Sequence, residues 1–136
     1  MTNELIKKEW NKLKKELTKG NDPYGLKGCM YMMKKQLENR TATIMLTNSF
    51  TYEEMIESYK ECIEAFPNST KLAEYEQGLA HYTSLLERFG TRANEAKWKV
   101  EEITSTKAWE AFAEAVGVNS LRTEEMQNCL YLRINY

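Results

Sequence analysis

Leu72, Tyr75, Leu79, Tyr82, Leu86 and Phe89 recur at steps of 3, 4, 3, 4 and 3, and Gly90 follows the last of them. Only a period near 3.6 brings such a series onto one face, so the stretch reads as a helix closed by a left-handed glycine. Its length and regularity make it the clearest helix of the chain and a candidate core element, with Leu79 and Leu86 at its centre.

Other segments carry the same period. Ile6, Trp10, Leu13 and Leu17 form the stripe of a first helix that begins after Thr2 or Asn3 and ends at Gly20. Asp22 and Pro23 suit the cap and first position of a second, whose stripe is Leu26, Met30, Met33 and Leu37; Gly25 and Gly28 weaken its first turn by about 1 kcal/mol each relative to Ala. Thr51-Tyr52-Glu53-Glu54 is a capping box for a third helix that carries Met55, Tyr59, Ile63 and Phe66 and stops at Pro67. A fifth helical segment runs from Gly90-Thr91 through Ile103, and Trp109, Phe112, Ala113 and Val116 mark a sixth that ends at Gly117.

Near the end the period changes. Leu130, Leu132, Ile134 and Tyr136 alternate with Tyr131, Arg133 and Asn135, which predicts a strand after a helical turn around Thr123 to Gln127. One strand needs a partner. Within the chain that partner is the β-branched stretch Thr41 to Thr47, itself readable as strand or as continuing helix; outside it, a second chain. The expected fold is therefore mainly α, a compact bundle of five to six helices over residues 1–136, with room for a small two-stranded antiparallel element built from 41–47 and 129–136.

At 136 residues the chain suits one domain with one core, and 42% hydrophobic with 29% charged residues fits a globular protein. No apolar run approaches the roughly 18 residues of a membrane span, and MTNELIKKEW lacks the apolar centre of a secretion signal. A cytoplasmic location without membrane contact is expected. Cys29, Cys62 and Cys129 are odd in number and widely spaced, so reduced thiols are expected in place of a disulfide or zinc framework.

Motifs for chemistry are sparse. His81 is the one histidine, which leaves Cys62 and His81 on neighbouring helices as the single conceivable nucleophile pair, without an orienting motif. Glu57, Glu61 and Glu64 share a helix face, yet no Glu-x-x-His accompanies them, so they read as a solvated acidic surface. Phosphate loops are absent, and Gly25-Leu26-Lys27-Gly28 lacks the strands that would make it an RNA clamp. Ala113, Gly117 and Val118 are spaced as in a helix-turn-helix, but Glu124 and Glu125 would then face phosphates. No metal and no cofactor is expected.

Charge is the stronger signal. Residues 1–40 hold 10 Lys and Arg against 5 Asp and Glu, and residues 41–136 hold 9 against 15, so a +5 segment precedes a −6 segment. Lys8, Lys12, Lys15 and Lys19 repeat opposite the first helix's apolar stripe, and Lys97-Trp98-Lys99 interleaves charge with an aromatic ring as base-stacking surfaces do. These seven residues are the candidate binding surface. The leading expectation is a non-enzymatic protein-binding module, an inhibitor or regulator acting on an acidic or nucleic-acid-handling partner, and homodimerisation is compatible with it. A nucleic-acid-binding regulator using the basic N-terminal third is the alternative, and an enzyme without a recognisable motif the second. The Lys-, Asn- and Glu-rich composition resembles that of small bacterial and phage proteins and points to no family.

Overall fold

The computed structural model describes all 136 residues. In chain order the elements are α1 (Asn3–Leu17), β1 (Met30–Tyr31), α2 (Lys34–Glu38), β2 (Thr41–Thr47), α3 (Tyr52–Ala65), α4 (Leu72–Phe89), α5 (Arg92–Thr104), α6 (Lys107–Val116), β3 (Ser120–Met126) and β4 (Cys129–Asn135). The four strands form one antiparallel sheet in the order β1-β2-β4-β3. The expectation of a mainly α bundle is thereby corrected to a mixed α/β fold.

The sequence pair at the centre of that sheet is present. Ala42 stands opposite Ile134 and Ile44 opposite Leu132. All four are buried, while Thr43, Met45, Tyr131 and Arg133 on the other face stay partly exposed. The two flanking strands escaped the pattern for different reasons. Met30 fits a helical step from Leu26, but Gly25 and Gly28 hold φ of +65° and +75°, which ends any helix there and turns the chain into β1 beside β2. The segment read as a helical turn, Thr123 to Gln127, falls mostly within β3, whose residues are exposed on both faces and so show no apolar alternation.

Helices α1, α5 and α6 cover the buried face of the sheet. Ile6, Trp10, Leu13 and Leu17 of α1 and Trp109, Phe112 and Val116 of α6 enter the same core as Ile103 of α5. Trp10 and Trp109 pack against Phe112 with centroids 5.5 and 5.7 Å away. At Gly117, with φ +73°, the amides of Gly117 and Val118 both reach the Ala113 carbonyl at 3.0 Å, a Schellman stop. The chain then runs straight into β3, so the helix-turn-helix spacing has no second helix behind it. No helix is long and apolar enough to cross a membrane.

Helix α4 is not a core element. Helices α3 and α4 pair antiparallel as an arm, in which Tyr52 is the one buried residue and α4 contributes none. The 3-4 alternation recorded a seam between two helices, with Leu79 and Leu86 half-buried along it. Tyr59 and Tyr82 stack across the seam at 6.1 Å. The expected capping box is formed, Thr51 Oγ1 accepting from the Glu54 amide at 3.1 Å.

Candidate functional site

Where the arm meets the body, a half-open cavity of about 520 Å³ lies between the Asp22–Cys29 loop, the end of β2, and the facing turns of α4 and α5. That size is in the range of ligand-binding clefts. Each wall is fixed by local chemistry. Asp22 has φ +53°, and its carboxylate accepts from the Leu26 and Lys27 amides at 2.9 and 3.1 Å, which folds the loop over the cavity. Arg92, in the first turn of α5, donates to the carbonyls of Asn48 and Asn128 and so ties the end of β2 and the β3-β4 turn to that helix.

The floor is a closed polar triad. Glu95 is buried, accepting from the Tyr52 hydroxyl at 2.6 Å and from Lys99 Nζ at 2.9 Å. Lys99 also donates to the Leu46 carbonyl at 2.8 Å. Burial, followed by the hydrogen bond to Glu95 and its charge, pushes the Tyr52 phenol well above its ordinary pKa. Burial likewise raises the Cys29 thiol, against the opposing pull of Lys99. Tyr52 and Lys99 both bond to Glu95, which holds the three side chains in fixed positions at the cavity floor.

Arg88 differs from all of these. Its guanidinium lies 4.3 Å from the Trp98 ring centroid and 4.7 Å from that of Phe89, and no carboxylate pairs with it. Trp98 is further walled by Phe89 at 5.5 Å and Tyr24 at 6.1 Å. The cavity thus has an aromatic wall on which the Arg88 cation lies without a carboxylate partner, suited to an anionic group on a flat or apolar body.

The candidate surface read from the sequence separates into three places. Lys8, Lys12 and Lys15 are exposed on α1, where they flank a shallow depression with Glu4, Lys7 and Asn11, and Lys19 is exposed in the turn just past the end of that helix. Lys12 pairs weakly with Glu9 at 3.5 Å. Lys97 is exposed on α5, whereas Trp98 is covered by Arg88 and Lys99 is committed to Glu95, so Lys97-Trp98-Lys99 does not form a base-stacking platform. His81 is exposed and meets the Tyr82 ring edge-on at 5.1 Å, with no bond to Cys62. No three His, Cys, Asp or Glu side chains converge as metal ligands would.

Sequence reasoning did not assign Arg88, Tyr52, Asp22 or Arg92 to a site; it read Asp22 as a helix cap and Tyr52 as part of a capping box. Their pairing spans up to 44 residues of chain, as between Arg92 and Asn48, and no local pattern records it. Glu95 and Lys99 alone had a signal, the i,i+4 spacing of an ion pair. Comparison with protein-family models, with characterised proteins and with solved structures returns no match for this chain.

Proposed function

We propose that this protein is a non-enzymatic protein-binding module, a regulator or inhibitor that grips its partner in the cleft between the α3-α4 arm and the body. The observation that carries this reading is the arm itself. Two helices of 14 and 18 residues place a single residue, Tyr52, below the surface, and the core closes without the rest. Most of the arm's apolar stripe is half-buried in its own seam, and the cleft that the arm forms with the body is a concave surface suited to taking up part of another molecule. Arg88 on its aromatic wall supplies the polar anchor, and an acidic side chain of the partner is the group it fits.

Affinity capture from the native host with three forms of the protein tests the reading. A protein retained by wild type and by the triple variant Lys8→Glu, Lys12→Glu, Lys15→Glu, but released by Arg88→Glu, is the expected result. Retention of the same protein by Arg88→Glu would move the contact away from the cleft. Capture of nucleic acid alone, abolished by the triple variant, would overturn the proposal for the second reading, a nucleic-acid-binding regulator. One observation favours that second reading: Lys8 and Lys15 on α1 and Lys19 just beyond it are exposed with no carboxylate paired to them.

A further inference from the structure

β3 is an edge strand whose one extended contact is with β4. The two are joined by a two-residue turn at Gln127 and Asn128, with φ +50° and +66°, and Met126 faces Cys129 across it. In a hairpin of this kind the residues flanking the turn exchange hydrogen bonds, and alternate residues back along the strand do the same. Met126, Glu124, Arg122 and Ser120 therefore bond inward to β4. Leu121, Thr123 and Glu125 point their amides and carbonyls outward, where no element accepts them.

We propose that this edge is a self-pairing surface: two copies of the chain join antiparallel through β3 about a twofold axis at Thr123, extending the four-stranded sheet to eight strands. The sequence of the strand selects that arrangement. With Thr123 opposite the second copy's Thr123, Leu121 meets Glu125 as a hydrogen-bonded pair, and Arg122 stands opposite Glu124 twice. Those are non-hydrogen-bonded positions, where facing side chains come closest. Shifting the register by one step either way puts Arg122 against Arg122 or Glu124 against Glu124, and like charges directly opposite are unfavourable. The charges that would ordinarily protect an edge thus exclude every neighbouring register and admit this one.

Arg122 is open to solvent and Glu124 is partly covered. Arg122 is 62% exposed and contacts Glu124 of its own strand at 2.6 Å, while Glu124 also reaches Arg133 at 3.1 Å. Glu124 is therefore held upright on the open face of the sheet, ready to take a further arginine. A seven-residue edge offers few bonds, so the pairing is concentration-dependent and reversible.

Sedimentation equilibrium of the wild-type protein up to millimolar concentration is the first test, with a rise from one to two chain masses expected. Arg122→Glu alone and Glu124→Arg alone each place like charges at both sites, and each is expected to stay monomeric. Mixing the two variants restores opposite charges at both sites of a mixed pair, so the mixture is expected to recover the dimer. A second readout needs no substitution: amide exchange at Leu121, Thr123 and Glu125 slows as wild-type concentration rises, while that at Arg122 and Glu124 does not change. A wild-type monomer throughout the range, a dimer that survives either single variant, or unchanged exchange at those three amides would overturn the proposal.

Discussion

The ring of Tyr59 occupies the space that a side chain at position 78 would fill: a Cβ built on Gly78 would collide with its Cζ, Cε1 and Cε2 atoms. Gly78 lets the Tyr59 ring of α3 pack directly against the α4 backbone, and it lies in mid-helix, where glycine costs about 1 kcal/mol relative to alanine. The packing of the Tyr59 ring against Gly78 offsets that cost. The arm is thus held by its own seam as well as by its attachment to the body through Tyr52, which donates to Glu95, and Tyr82, which accepts from Asn48.

Gly78→Leu is expected to open this seam without unfolding the core. Amide exchange should speed up across residues 52–89, while the amides of β2 and β4 keep their protection. Loss of protection in both regions together would show that arm and body unfold as one unit.

Core and arm should also differ in the effect of truncation. Phe112, 1% exposed between Trp10 and Trp109, is expected to cost about 3–5 kcal/mol when changed to Ala. Leu79→Ala and Leu86→Ala remove half-buried side chains, so each should cost less than about 2 kcal/mol. Denaturant melts of the three variants give the comparison, and equal losses would place α4 in the core after all.

The difference between those positions was invisible in the sequence for a physical reason. Period 3.6 reports that a helix has one apolar face, not what covers it, and Leu79 and Leu86 carry the same signal as Leu13 and Leu17. Strands β2 and β4 were legible because Ala42, Ile44, Leu132 and Ile134 alternate between core and open face. β3, exposed on both faces, has no alternation to read, and β1 is two residues long. The lysines of α1 were placed correctly on an exposed face by their phase against Ile6, Trp10, Leu13 and Leu17. The cleft was not legible, since Asp22, Tyr52, Arg88 and Glu95 come together only through tertiary packing.

The triad on the cleft floor carries a prediction of stability. Glu95 and Lys99 have side chains only 9% and 12% exposed, so Lys99→Met strands a buried carboxylate and is expected to destabilise by about 3 kcal/mol. The double variant Glu95→Leu, Lys99→Met removes both charges and should recover most of that loss. A double variant no better than the single one would mean that shape, not charge, decides the site.

Tyr52 gives the fold an alkaline limit. Its pKa in the folded chain is raised by burial and by Glu95, whereas in the unfolded chain it is near the ordinary value of about 10. Below that pH both states hold the proton and its contribution is complete. As pH rises above about 10 the unfolded chain ionises while the folded one cannot, so stability falls. Tyr52→Phe should reduce that slope by up to about 1.4 kcal/mol per pH unit, measured by urea melts above pH 10, and an unchanged slope would assign the limit to other groups.

The lysine face of α1 allows the two functional readings to be separated by salt. Lys8, Lys12, Lys15 and Lys19 are exposed, and their neighbours on the helix leave only Lys12 with a carboxylate in reach, so reversing Lys8, Lys12 and Lys15 to Glu should leave the melting profile nearly unchanged. If these lysines contact nucleic acid, wild-type affinity falls steeply with salt, and the slope of log K against log salt shrinks in the variant by about the number of phosphates released. If they steer an acidic protein toward the cleft, the variant instead associates more slowly, its on-rate loses salt dependence, and its dissociation rate is unchanged. Under the cleft reading the second pattern is expected, with Arg88→Glu acting on dissociation and the lysine variant on association. A variant that binds the captured partner at wild-type rates would leave this face with solubility as its one role.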